Sequence, residues 1–187
     1  AEQFGYPSLL KFQEIDATDL QAFQRLLNIY DAGVGVSGWF KRWHIANVIN
    51  DKSKNSALGY DYERVGKANL NFVHNTGSIE STGNTVFNYD ANYIQFGSSV
   101  ADSLPITFTA QNGEFNYTSL EFTDDSIYVK DLVEGEKHFV QNPSVNTNKA
   151  IFVVSNARNF NAQYTYKSEG ENTGGWYEQI ELAYDDG

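Results

Sequence analysis

Apolar and polar positions alternate with a period near two along most of this chain, and one early stretch departs from that rule. Between residues 16 and 33 the apolar residues fall three and four apart. Leu20, Phe23, Leu27 and Tyr30 share one helical face, and Leu26 widens it. Thr18 with Gln21 fits a capping box, and Gly33 can take the left-handed conformation that ends a helix. The pattern predicts a single amphipathic helix that buries this stripe on a sheet or on a neighbouring copy.

Everything after that helix reads as strand. Residues 39–49 place Trp39, Lys41, Trp43 and Ile45 on one face and Phe40, Arg42, His44 and Ala46 on the other. Further strands are expected at 57–65, 68–74, 85–96, 106–110, 114–122, 126–132, 137–140, 150–155, 162–167 and 176–184. The last shows the clearest alternation: Trp176, Glu178, Ile180, Leu182 and Tyr184 face one way, with Glu178 the polar exception. Turn residues separate the runs at 75–77, 82–84, 112–113, 134–135 and 174–175. Asn112-Gly113 is the strongest hairpin signal, since both residues tolerate the positive φ of a type I′ turn. The expected fold is all-β: one antiparallel β-sandwich or barrel of about ten strands, with a jelly-roll-like layout and one N-terminal α-helix. The chain is read as one domain over 1–187, with an extended arm at 1–15, the helix at 16–33 and a β-domain from 37 onward.

The arm is the most apolar end of the chain. It carries Phe4, Tyr6, Leu9, Leu10 and Phe12, and Pro7 disfavours helix at Tyr6. Such a segment needs a surface to lie on, and those five residues form the candidate interface.

Composition narrows the function classes. The chain has 187 residues, enough for a substantial single core, and its 12 Tyr and 13 Phe supply large buried areas. A formal charge of −11 argues against a nucleic-acid partner, for which clustered Lys and Arg are required. No apolar run approaches the roughly 20 residues of a membrane-spanning helix, so no membrane insertion is expected. The absence of cysteine removes disulfides, thiolate metal sites and thiol nucleophiles together. Ala1 in place of a methionine fits either an initiator trimmed from a cytoplasmic product or removal of a signal segment, and the Tyr-, Asn-, Thr- and Gly-rich composition leans toward an extracellular or virion setting.

Chemistry-bearing residues are present but unmotivated by spacing. His44, His74 and His138 each stand alone within expected strands, and no HExxH or GxSxG pattern accompanies them. Asn88, Asp90 and Asn92 sit at alternate positions like the opening of a calcium loop, yet Tyr93 and Ser99 replace the required glycine and glutamate. Asp124, Asp125, Asp131, Glu134 and Glu136 bracket a short strand and could hold a cation from loops. Glu178 beside Trp176 is the best carboxylate for glycan hydrolysis. Asn116-Tyr-Thr118 is a glycosylation sequon. Tyr60, Tyr62, Tyr89, Tyr93, Tyr128, Tyr164, Tyr166 and Tyr177 exceed what one sheet core needs, and tyrosines of that kind anchor interfaces or stack on sugars.

An arm, a helix and then many strands is similar in layout to single jelly-roll capsid subunits, without a shared motif. Lipocalins differ at the decisive position, since Gly38 and Trp39 are adjacent where that family carries Gly-x-Trp. With no catalytic signature, the leading expectation is a non-enzymatic structural subunit that needs no cofactor or metal. It would associate with itself or an assembly partner through its arm, sheet edges and tyrosines. A carbohydrate-binding module or lectin is the alternative, and a β-sandwich glycan hydrolase or lyase the third.

Overall fold

A computed structural model describes residues 19–30, 33–51, 53–58, 68–74, 78–96, 103–141 and 149–169. The arm at 1–15 and the expected strand at 176–184 lie outside the described residues, as does most of the expected strand at 57–65. Two helices come first, α1 (Asp19–Tyr30) and α2 (Gly35–Ile49). Nine strands follow: β1 (Phe72–His74), β2 (Ser78–Val86), β3 (Ala91–Phe96), β4 (Ser103–Asn112), β5 (Phe115–Phe122), β6 (Ile127–Leu132), β7 (His138–Gln141), β8 (Lys149–Asn156) and β9 (Ala162–Glu169). They form a five-stranded sheet, ordered β1-β3-β8-β5-β6, and a four-stranded sheet, ordered β2-β9-β4-β7. Neither closes into a barrel. All pairs are antiparallel except the short β1, which runs parallel to β3 at the sheet edge.

The inner faces of the two sheets meet in one aromatic core. Phe96, Phe115, Tyr117 and Phe152 come from the five-stranded sheet; Phe108, Tyr164 and Tyr166 come from the other. Phe108 packs on Tyr117 at 5.2 Å and on Phe152 at 5.5 Å between ring centres, and Phe115 meets Tyr164 at 5.4 Å. Tyr93, Tyr164 and Tyr166 are thus core residues, while Tyr128 is exposed. Of the tyrosines singled out in the sequence, Tyr164 and Tyr166 fill this interior, Tyr93 packs on the other face of the five-stranded sheet, and Tyr60, Tyr62 and Tyr177 lie outside the described residues.

The clearest departure from the sequence pattern is residues 39–49, which form the body of α2. Their alternation is real but subordinate to a second pattern, because Ile45, Val48 and Ile49 lie at helical spacing. They pack on Tyr93, Leu120, Ile127, Ile151 and Val153 of the outer face of the five-stranded sheet. The helix begins after Gly33, at φ 99°, and ends at Asn50, which is left-handed and donates its N–H to the Ala46 carbonyl at 2.8 Å. At its start, Gln24 Oε1 of α1 accepts from the Val36 N–H, so one helix caps the other. Within α1, Ala22, Leu26 and Leu27 are buried, whereas Leu20 is substantially exposed.

Two further expectations change. The anticipated strand 85–96 is split by a turn at 87–90, and its halves, β2 and β3, belong to different sheets. Gly83, taken from sequence as a turn, lies inside β2 where pairing with β9 shifts between Ser81 and Asn84. Asn112-Gly113 closes no hairpin, because β4 and β5 lie in opposite sheets. Gly113 has φ +91°, and a Cβ built there would approach the Ala162 Cβ to 2.6 Å. The residue is required for backbone passage between layers. Asn156, fully buried, fastens the same end. Its Nδ2 donates to the Phe87 and Phe160 carbonyls at 3.1 and 2.6 Å, and its Oδ1 accepts from Arg158 N–H at 2.9 Å.

Two stability predictions follow from these positions. Gly113→Ala should destabilise by more than about 2 kcal/mol, combining backbone strain with overpacking, whereas Gly83→Ala, with open space around it, should lose only about 1 kcal/mol; chemical denaturation of both variants compares them. Leu27, with no exposed surface, should lose about 2–5 kcal/mol on replacement by Ala, read as a lowered denaturation midpoint at unchanged slope.

Candidate functional site

The helical pair and the turn between β2 and β3 bring most of the unusual side chains together. α1 and α2 pack together, with Gln24 against Val36 and Phe23 against Trp39. Phe23 meets the Trp39 ring edge-on at 4.8 Å, and Trp39 lies nearly parallel to Trp43 at 6.0 Å. Phe40 stacks on Tyr89 at 5.1 Å. Tyr89 is one of two described non-glycine residues with positive φ, at 53°. Its N–H donates to the Arg158 carbonyl at 3.1 Å, and its carbonyl accepts from His44.

His44 is the centre of this cluster. A carbonyl can only accept, so Nε2 carries the proton and donates to Tyr89 O at 2.9 Å. Nδ1 then accepts from the Tyr93 hydroxyl at 3.1 Å. Burial lowers the His44 pKa, while the Tyr89 hydrogen bond and the nearby Asp90 charge partly oppose that shift. Burial likewise raises Tyr93. A neutral imidazole with both nitrogens engaged ties α2 to β3 and serves as a packing element.

The other histidines stand apart from it. His74 Nε2 lies 2.6 Å from the Tyr166 hydroxyl and bridges β1 of one sheet to β9 of the other; burial lowers its pKa. His138 Nε2 lies 2.9 Å from the Val133 carbonyl in the turn before β7. The three imidazoles are therefore dispersed.

The acidic expectations dissolve similarly. Asp124 and Asp125 sit in the turn before β6, Glu134 and Glu136 in the turn after it, and Asp131 pairs with Lys41 at 2.6 Å. Of the calcium-like triplet, Asp90 accepts from the Ala91 N–H, and Asn92 turns inward to donate to the Tyr164 hydroxyl at 3.2 Å. Among the described residues, no group of three or more acidic, His or Cys side chains is placed to hold a metal ion. Asn116 donates to Ser37 Oγ at 3.1 Å against α2. Glu178 and the arm residues lie outside the described residues.

Sequence reasoning missed a groove of about 470 Å³ beside the start of α2. Gly33, Val34, Gly38 and Ile45 form one wall, Leu58 and Val129 the other, and the Lys41–Asp131 ion pair crosses it. Seeing residues 39–49 as helix was the step needed to find it. The groove is amphipathic, and its charges are already matched in part.

No protein-family model matches the chain, and no curated protein matches it in sequence. Solved structures with partial likeness are β-rich proteins. The Yersinia pseudotuberculosis-derived mitogen is 12% identical with a TM-score of 0.43, covering 55% of this chain and 91% of its own. The Escherichia coli periplasmic inhibitor of g-type lysozyme, PliG, is 14% identical with a TM-score of 0.39, covering 56% and 100%. The pre-peptidase C-terminal domain of a Bacillus anthracis collagenase is 9% identical with a TM-score of 0.37, covering 55% and 98%. At these values the likeness carries no specific function across.

The histidines set a pH dependence. Above the ordinary value of 6.5, His44 and His74 are neutral in both folded and unfolded chains, and their contribution to stability is complete. As pH falls below 6.5 the unfolded chain binds protons that the folded chain resists, so stability is lost toward the depressed folded values. Melting temperature should decline between pH 7 and 5, less steeply in His44→Gln and less again in His44→Gln/His74→Gln.

Proposed function

We propose that the chain is a structural subunit that assembles with copies of itself, in a virion, fibre or surface layer outside the cell. The observation that carries this reading is the character of the sheet edges. Edge strands expose unpaired N–H and C=O groups, and proteins that stay monomeric usually blunt them with charge, proline or cover. Among the described residues, three of the four edge strands present a large apolar side chain to solvent: Val73 on β1, Tyr128 on β6 and Phe139 on β7. Phe87, Val133 and Phe160 are exposed in the connections between layers. The strand orders support the same reading: β2-β9-β4-β7 facing β3-β8-β5-β6 is the arrangement of a jelly roll sandwich, an architecture used by capsid and lectin domains. Aromatic rings fill the space between the sheets, so its outer surfaces and edges are where such a subunit would act.

A carbohydrate-binding module is the second reading, favoured by Trp43, which is 40% exposed beside the nearly parallel Trp39 ring. A reproducible glycan-array hit lost in Trp43→Ala would favour it.

Light scattering across a concentration series tests the assembly reading. Mass should rise above that of one chain, and Tyr128→Lys/Phe139→Lys should lower it at matched concentration without loss of sheet content. A strict monomer at high concentration overturns the proposal.

A further inference from the structure

We propose that the groove between the start of α2 and β6 binds a neutral polyhydroxylated ring, a single sugar residue, held by the Lys41–Asp131 pair. The inference rests on the carbohydrate reading given second above, and seats the ligand in the groove instead of on the exposed Trp43 ring. At about 470 Å³ the groove falls within the roughly 300–1,000 Å³ of small-molecule sites.

Its walls are held from both sides, so its shape is set before any ligand arrives. On the helix side, Asn116 of β5 donates to Ser37 Oγ at 3.1 Å, and Ile45 packs in the apolar cluster on the five-stranded sheet. Opposite, residues 53–58 are fastened to β6. The Ile127 N–H donates to the Lys54 carbonyl at 3.4 Å, and Asn55 Nδ2 donates to the Ile127 carbonyl at 3.2 Å. Asn55 Oδ1 in turn accepts from the Leu58 N–H at 3.0 Å, and Leu58 lines the groove with Val129. The missing side chains of Gly33 and Gly38 leave space along the helix wall; a Cβ built at Gly33 would meet no atom within 4 Å. Walls fixed in this way spare a ligand the cost of ordering them.

The polar groups across the groove select the chemistry. Lys41 Nζ meets Asp131 Oδ2 at 2.6 Å, and Thr118 Oγ1 donates to Asp131 Oδ1 at 3.3 Å. The carboxylate is oriented by both bonds, yet its side chain stays 67% exposed. Arg42 also lines the groove and has an interaction of its own. Because Lys41 and Asp131 neutralise each other, an ionic ligand must part the pair to exploit either charge. A hydroxyl need not part it. An ammonium keeps further N–H donors after one bond, and each carboxylate oxygen keeps an acceptor lone pair. One ring hydroxyl accepts from Lys41 while its neighbour donates to Asp131, and both bonds are charge-assisted. Val34, Leu58 and Val129 meet the C–H faces of the ring. A strong donor beside a strong acceptor, between apolar walls, matches vicinal hydroxyls on a carbon ring.

Backbone amide shifts under titration with glucose, galactose and mannose test this, with glucuronate and leucine as anionic and zwitterionic comparisons. At least one hexose should give saturable shifts at the Gly33, Gly38 and Val129 amides, and glucuronate should bind no tighter than glucose. Lys41→Met/Asp131→Leu, which keeps bulk but removes the pair, should weaken hexose binding about thirtyfold. Val129→Phe, which fills the groove and leaves the pair intact, should weaken it about tenfold. Thermal melting checks that each variant is folded. Saturation by glucuronate or leucine with none by the hexoses overturns the inference, as does the absence of any shift. Hexose binding that survives both groove variants and is lost in Trp43→Ala overturns it while the carbohydrate reading stands. Silent hexoses together with a blank glycan array defeat both.

Discussion

The structure depends on a sheet that must be covered on both sides. In β3 and β8 nearly every residue is buried, because Ile94, Phe96, Phe152 and Val154 point to the inner core while Tyr93, Ile151 and Val153 point outward under α2. A sheet in which alternate residues on both faces are apolar cannot leave either face in water. The four-stranded sheet covers one face, and the helical pair, anchored through Ile45, Val48 and Ile49, covers the other. The His44 hydrogen bonds to β3 and to the β2–β3 turn then fix where that cover sits.

That constraint explains which parts of the sequence were legible. The described strands β4 to β9 were readable because each has a β-prone run bounded by turn residues, and alternation survives wherever one face meets solvent, as in β9. The run 150–154, Ala-Ile-Phe-Val-Val, is apolar at consecutive positions, the mark of a strand covered by a layer on each face, yet in the sequence it reads only as one strand among about ten. The layer itself was misread. Residues 39–49 alternate and are rich in aromatic residues, both strand signals, and only the helical spacing of Ile45, Val48 and Ile49 betrays their state. Tertiary packing decided between the two patterns.

Connectivity was less legible still, for a different reason. A turn signal such as Asn112-Gly113 reports that the chain bends, but not which layer it enters afterwards. The contact that decides is between Gly113 and Ala162, 49 positions apart in the chain, and no local pattern encodes it. The histidines show the same limit at the candidate site. Each looked like an isolated strand residue, and the partners that define their roles, Tyr89 and Tyr93 for His44 and Tyr166 for His74, lie 45, 49 and 92 positions away.

Among the described strands, seven of the eight links between successive ones change sheets, and the β5–β6 pair is the one hairpin between neighbours in sequence. That bears on the order in which the chain can gain structure. Local closure is cheap in chain entropy, so the β5–β6 ribbon, with its Thr123–Ser126 turn, is the natural early nucleus. β8 then has to insert between β3 and β5, which come far earlier in the chain, before the outer face of that sheet exists as a surface. Until β8 has been made, the two N-terminal helices have no completed platform to rest on. During synthesis the two helices and β1–β7 therefore wait, with the Trp and Phe side chains of the helices unsheltered, for β8.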